Sequence, residues 1–480
     1  MLQTPFQGSA QGWLCEYRRD VMVPMRDGTC LATDLFLPAA PADPGSEEAQ
    51  YRFPCVLMRT PYDKTLGNSQ KLGTFFARRG YVWACQDVRG RFASEGEFAT
   101  LGERGPGHYG TPFGAEAEDG YDAVEWCAAQ PWCDGSVGTM GGSYAGSDQS
   151  ALATLDPPHL AAMVIEAGAS SYFEHSMRQN GALEQRFAIY ALRMACDSPE
   201  ARKDSALKVR LLKTCGEGMS DFLAALPIRR GGTVLREVPG LEQWVLDIQE
   251  HGTYDAYWQQ RGYAISEYYA EHADVPTLFM SSWYDTYPRG AVENFLALRN
   301  LKQNPQYLML GPGTHTQPEV PSAGILNFGQ PAAINYADQH LAFFDCHLKK
   351  LNSEARVWPA VRYFLMGLGS MARITVGLPA TSTVPGKGAV PAALDYGGQW
   401  QASDSWPPPD THGLRLFLQP DGILSIHQST VAEAYSEFEF DPQRPVPTVG
   451  GSVSAAANVM NPVRKTKQLS QTYLPATTPM

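Results

Sequence analysis

A serine, an aspartate and a histidine stand in this order along the chain, each just past an apolar run. Ser143 lies in Met140-Gly141-Gly142-Ser143-Tyr144-Ala145-Gly146, after a short apolar run at 137–140 and before a helical pattern at 147–155. In that setting a Gly-x-Ser-x-Gly-like stretch forms a nucleophile elbow. The serine is held in a tight turn, and its neighbours two places away must be small so that strand and helix can pack. Gly141 and Ala145 meet that need, although the strict pattern asks for glycine at 145. A hydroxyl nucleophile needs a base, and the base needs an acid to orient it. Asp285 follows the run at 276–280, and His315 follows the run at 307–310. Taken singly, Asp285 reads as a helix cap or loop carboxylate and His315 as a loop histidine. Their placement after successive strands, downstream of an elbow, is what predicts a triad of Ser143, His315 and Asp285 for acyl transfer.

Such residues must be positioned by strands whose ends lie side by side. The residues up to about 155 alternate short apolar runs (54–58, 81–85, 137–140) with helical patterns such as 119–130. That rhythm predicts a mostly parallel sheet covered on both faces. From about 156 to 274 charged helical stretches dominate, at 184–194 and 199–212, and strand patterns are scarce after Ile165. The α/β rhythm then resumes, with strands at 276–280 and 307–310 and helices at 290–298 and 337–348. A helical block inserted between strands of one sheet is a natural lid. From about 356 the β runs at 361–366, 414–418 and 438–440 sit between Pro/Gly turns, which predicts an antiparallel sandwich.

Composition sets limits on function. Of 480 residues, 44% are hydrophobic, which excludes wholesale disorder. No run approaches the ~18 apolar residues of a membrane span. The first 24 residues hold no apolar h-region, so no signal peptide is expected. Lys plus Arg is 38 against 50 for Asp plus Glu, a formal charge of −12, which argues against a nucleic-acid or anionic-membrane partner. The nine cysteines are odd in number, with no C-x-x-C. They read as isolated thiols in a reducing, cytoplasmic compartment, without a zinc site. The acidic run Glu116, Glu118, Asp119, Asp122 belongs to the first turn of a helix, where the dipole favours carboxylates, rather than to a metal. Asp87-Val88-Arg89-Gly90-Arg91 is expected to tie down a loop by Asp–Arg pairing rather than to bind an anion, and His108 is a loop residue. No cofactor or metal is expected.

The chain resembles the CocE/NonD group of α/β-hydrolases, related to cocaine esterases, α-amino acid ester hydrolases and X-Pro dipeptidyl-peptidases. The likeness rests on Met25-Arg26-Asp27-Gly28, Arg59-Thr60-Pro61-Tyr62-Asp63-Lys64, Gln86-Asp87-Val88-Arg89-Gly90-Arg91 with Ser94-Glu95-Gly96, and Gln130-Pro131-Trp132 with Gly135. It continues through the elbow, Trp283-Tyr284-Asp285, Gly311-Pro312 with His315, Phe343-Phe344-Asp345 with Leu348-Lys349, and Trp406-Pro407-Pro408, so that it spans about 23–451. The family's elbow is G-x-S-Y-x-G, which accounts for Gly146. The resemblance implies an α/β-hydrolase domain (1–155 and 275–352), a helical cap (156–274), and a partial jelly-roll-like β-sandwich (356–451). It also implies an oxyanion hole made of the Tyr62 hydroxyl and the backbone N–H of Tyr144. The acidic pair by which α-amino acid ester hydrolases bind an ammonium group is replaced here by Tyr287 and Pro288. Tyr287 fits an aryl acyl pocket instead, and Glu174 is a candidate for a peptide's amino terminus.

The expected activity is hydrolysis of a small ester or amide, with X-Pro dipeptidyl-peptidase or acylase activity as the alternative. A catalytically silent binding homologue is the second class. The family pattern stops near 451, and residues 452–480 carry Arg464, Lys465 and Lys467 with no acid. A jelly roll needs about eight strands, so the β domain is expected to be truncated, with edges that invite aggregation or a partner. The sequence does not decide between a monomer and a homo-oligomer.

Overall fold

The computed structural model describes residues 6–40, 51–99, 103–105, 108–109, 112–225, 227–315, 318–323, 326–367, 394–420, 422–431, 435, 437–439 and 441. Ten strands form one sheet. In chain order they are β1 (Leu14–Pro24), β2 (Cys30–Ala39), β3 (Phe53–Thr60), β4 (Val82–Asp87), β5 (Cys133–Gly142), β6 (Leu160–Glu166), β7 (Thr277–Tyr284), β8 (Gln306–Thr314), β9 (Val361–Met366) and β10 (Gly398–Ser403). Across the sheet they run β1-β2-β4-β3-β5-β6-β7-β8-β9-β10. The pairs β1/β2, β2/β4 and β9/β10 are antiparallel. The rest of the sheet, from β4 through β9, pairs in parallel.

Alternation along the central strands feeds two cores. Cys55, Leu57, Phe279, Leu308 and Leu310 face one layer, built with helices α2 (Glu116–Ala128), α3 (Tyr144–Ala153) and α10 (Pro288–Leu301). Val56, Met280 and Met309 face the other, built with α1 (Gly67–Ala77) and α11 (Tyr336–His347). Both faces are therefore covered, as a parallel sheet requires.

Between β6 and β7 the chain leaves the sheet and builds helices α4 (Tyr172–His175), α5 (Arg186–Ala195), α6 (Pro199–Lys203), α7 (Ser205–Cys215), α8 (Met219–Ala224) and α9 (Pro239–Glu250). Their shared core includes Phe187, Leu192, Leu211, Trp244 and Ile248. Cap helix α5 ranks as amphipathic because Phe187, Ala188, Ala191, Leu192 and Ala195 fall on one stripe and are buried.

Two boundaries differ from the expectation. Residues 160–166, inside the expected cap, form a sheet strand, so the insertion begins after Glu166. Strand Val361–Met366, expected to open a sandwich, pairs in parallel with β8 and extends the main sheet. β10 then pairs with β9 in the same sheet. Of the expected run 414–418, only Phe417–Leu418 is a strand, paired with Leu424–Ser425. Phe438 and Glu439 lie outside any strand, and Phe440 lies outside the described residues, as does the tail 452–480. Among the described residues the nine cysteines are free thiols, no His/Cys/Asp/Glu group could hold a metal ion, and no helix is long and apolar enough to cross a membrane.

Candidate active site

The C-terminal ends of β5, β7 and β8 bring Ser143, Asp285 and His315 together. Ser143 follows β5 directly and has φ 62° and ψ −114°, a strained conformation for a residue with a side chain. The surroundings hold it there. The Ser143 N–H donates to the Glu166 carbonyl at the end of β6 (3.0 Å). A Cβ on Gly146 would lie 2.4 Å from that same carbonyl oxygen, and a Cβ on Gly141 would lie 2.6 Å from the Ala145 methyl. The elbow therefore needs glycine at 146 and at 141, and tolerates alanine at 145 because 141 has no side chain.

β7 and β8 pair in parallel with a one-residue register shift after Ser282, which sets Tyr284 beside Thr314. One residue further along each strand places the acid beside the histidine. His315 Nδ1 lies 2.7 Å from Asp285 Oδ1, and His315 Nε2 lies 2.9 Å from Ser143 Oγ. Asp285 also accepts from the Thr286 N–H (2.5 Å), the Tyr287 N–H (3.3 Å) and the Ser281 hydroxyl (3.1 Å). Burial pushes the Asp285 carboxyl up, but the charge and hydrogen bond of His315, with these donors, outweigh it and hold it below the usual carboxylate range.

Tyr62 lies in the turn after β3, half-buried, with its ring edge-on to Tyr144 and Tyr190 (6.4 Å each). Burial pushes its hydroxyl up to about 12, so it stays protonated, and it lines the same cavities as Ser143. The Tyr144 side chain points the other way. Its hydroxyl lies 2.7 Å from Glu116 Oε1 and against the Pro112 carbonyl, and its ring stacks on Phe113 at 4.4 Å. The backbone N–H of Tyr144, at the first position of α3, has no acceptor within the helix.

Two cavities meet at Ser143 and His315. One of about 60 Å³ is aromatic, walled by Phe113, Tyr172, Phe187, Tyr190 and Tyr287. Tyr287 is buried, its ring 5.4 Å from that of His315. Its hydroxyl accepts from Arg186 (3.1 Å) and from Ser176 (3.4 Å). The other, about 440 Å³, runs past Tyr62, Arg193, Met280 and Tyr336 and counts Glu166 among its lining residues. Glu166 Oε1 lies 3.0 Å from His340 Nε2. Glu174 does not join the site. It is exposed on α4, where its N–H is capped by Ser171, and it lines neither cavity. A four-residue helix has one buried face, and Tyr172 and His175 occupy it.

Sequence reasoning overlooked Glu166, Arg186 and Tyr190. Glu166 was within reach, because it is a carboxylate at the end of a parallel strand, the same signal that pointed to Asp285. Arg186 and Tyr190 belong to an insertion whose packing no local pattern reveals. The Asp87–Arg91 segment ties loops down as expected: Asp87 accepts from Lys64 (2.8 and 3.1 Å), and Arg89 pairs with Asp119 (2.6 Å) and Asp27 (2.8 Å). The acidic run of α2 does more than offset a dipole, since Glu116, Asp119 and Asp122 pair with Arg59, Arg89 and Arg26.

The sequence pattern of the family described as X-Pro dipeptidyl-peptidase (S15 family) matches residues 27–317. A cocaine esterase from Rhodococcus sp. (strain MB1 Bresler) is 28% identical over 456 residues, covering 90% of this chain and 69% of that protein. The crystal structure of a selenomethionine-labelled α-amino acid ester hydrolase superposes with a TM-score of 0.62 at 25% identity, over 96% of this chain and 71% of the other. A CocE/NonD family hydrolase from Staphylococcus aureus shares the fold, with a TM-score of 0.56 at 19% identity over 86% of this chain and 60% of the other. With the family pattern extending from just before β2 to just beyond His315, this chain belongs to the S15 (X-Pro dipeptidyl-peptidase) family and is an α/β-fold hydrolase related to esterases.

Proposed function

We propose that the protein is a serine ester hydrolase working through an acyl-enzyme. Ser143 Oγ attacks the acyl carbonyl as His315 Nε2 takes its proton. Asp285 holds the imidazole by Nδ1 and stabilises the cation that forms. The Tyr62 hydroxyl and the Tyr144 N–H receive the oxyanion. The tetrahedral intermediate collapses, and His315 returns the proton to the leaving alcohol. Water, deprotonated by His315, then attacks the acyl-enzyme and releases the acid and Ser143. The observation that carries this reading is the unbroken chain from Asp285 Oδ1 through His315 to Ser143 Oγ, at 2.7 and 2.9 Å. The aromatic cavity suits an aryl or short acyl group, with Tyr287 in its wall. The test is hydrolysis of p-nitrophenyl acetate and p-nitrophenyl benzoate. Turnover that disappears in Ser143→Ala is expected, and a Ser143→Ala variant that keeps the wild-type rate rules the mechanism out.

A second reading, amide or peptide substrates with a free amine, is favoured by Glu166, a carboxylate in the wall of the larger cavity. A dipeptidyl p-nitroanilide compared with its N-acetylated form decides it. Preference for the free amine that vanishes in Glu166→Gln supports it, and equal rates for the two forms exclude it.

A further inference from the structure

The two proposed oxyanion donors come from different parts of the chain, and one buried carboxylate joins the segments that carry them. Tyr62 is three residues beyond Arg59, which sits near the end of β3. The Arg59 side chain is 1% exposed and that of Glu116 is 3% exposed. Arg59 Nη1 donates to Glu116 Oε2 (2.6 Å) and to the Glu116 carbonyl (3.1 Å), while Arg59 Nε donates to Gln86 (2.9 Å) on the neighbouring strand. The other carboxylate oxygen, Oε1, lies 2.7 Å from the Tyr144 hydroxyl. Glu116 thus uses its two oxygens on two partners, one on the strand leading to Tyr62 and one on the residue whose N–H is the second donor. The bracket stays outside the cavities: Arg59 and Glu116 line neither one.

Energetics say what such a pair is for. A buried ion pair is a poor source of stability, because desolvation offsets most of the attraction, and an apolar pair of similar volume would serve the core as well. What it supplies is direction. Hydrogen-bond donors in an oxyanion hole act only when held close to the position the oxyanion will occupy, and a displacement of about 1 Å can lower the rate about a hundredfold.

We infer that Glu116 and Arg59 are positioning residues that set the gap between the Tyr62 hydroxyl and the Tyr144 N–H, acting through the Tyr144 hydroxyl. This rests on the reading of Tyr62 and Tyr144 as oxyanion donors. Tyr144→Phe keeps the backbone N–H and the ring and removes only the hydroxyl, with its contacts to Glu116 and to the Pro112 carbonyl. Glu116→Gln is the conservative partner. Its carbonyl oxygen still accepts from Arg59, and its amide donates to the Tyr144 hydroxyl, which in turn donates to Pro112.

The experiment measures kcat and KM for a p-nitrophenyl ester, and inhibition by an arylboronic acid that forms a tetrahedral adduct on Ser143. The variants are Tyr144→Phe, Glu116→Gln and Tyr62→Phe, each checked for native circular dichroism. Tyr144→Phe is expected to lower kcat about tenfold with KM within about twofold, and to weaken the boronate by the same factor. Glu116→Gln is expected to retain most of the wild-type rate. A purely structural bracket would lower the melting temperature and leave kcat and the boronate unchanged in folded enzyme. Wild-type kcat and inhibition in Tyr144→Phe, with both reduced in Tyr62→Phe, overturns the positioning role and leaves the donors standing. Wild-type behaviour of Tyr62→Phe overturns the donors and the positioning role together.

Discussion

Asp285 carries a charge that the fold protects and that the proposed mechanism uses. Its carboxyl is held below the usual range, so it stays ionised in acid where an ordinary aspartate begins to protonate. The sign of the stability effect follows. A depressed folded-state pKa stabilises the protein above the unfolded value of about 3.9, and that contribution is lost as the pH falls through the lower folded value. Asp285→Asn is therefore expected to flatten the acid limb of the stability curve below about pH 4, read from urea midpoints. It should also lower kcat by about 10⁴ with the protein folded, because the imidazole loses its orienting acid. Tyr62→Phe should lower kcat by about 10²–10³ and change KM little. Tyr62 itself was legible only through the family pattern, since a tyrosine after Pro61 otherwise reads as a turn residue. Ser143, Asp285 and His315 were legible only together, because each alone reads as a loop residue and it is their order after successive strand ends that points to a triad.

At the level of elements, the elbow depends on close contact between the start of α3 and the end of β6. Gly146→Ala would drive a methyl into the Glu166 carbonyl, with 2.4 Å where about 3.4 Å is comfortable. Overpacking of this kind costs about 1–3 kcal/mol. It should appear as a lower melting temperature together with lost turnover, because the displaced carbonyl is also the partner of the Ser143 N–H. Strands β3, β4, β5, β7 and β8 were readable from apolar runs, whereas β6, whose end holds the elbow, fell inside the expected cap. The first two strands were not readable. β1 reads Leu-Cys-Glu-Tyr-Arg-Arg-Asp-Val-Met-Val-Pro and is mostly exposed, so it lacks the signal of a covered strand. β9 was recognised as a strand but assigned to the wrong sheet. A run of six residues shows its alternation and says nothing of its neighbour, and here the neighbour is β8.

Across the whole molecule, a buried cluster of charge holds the antiparallel edge against the parallel sheet. Lys64 is 2% exposed in its side chain and lies 2.7 Å from Asp20, 3.5 Å from Asp34 and 3.1 Å from Asp87. Asp34 and Asp87 are fully buried, on β2 and β4. Lys64→Met should destabilise the protein by about 3–5 kcal/mol, because it leaves two buried carboxylates without their cation. A urea titration reads this as a lower midpoint with an unchanged slope. The cap was legible as a helical insertion, but not the side chains it sends to the cavities, because Arg186, Tyr190 and Arg193 line them only once α5 packs against α7 and α9. The sheet, the cap and the cavities all converge on one hydroxyl. The most direct measurement is labelling of the native protein with a fluorophosphonate, followed by mass mapping of the modified peptide. Modification at Ser143 that is abolished in His315→Ala is the predicted result. A folded protein that stays unlabelled, or that is labelled at another serine, would contradict the account.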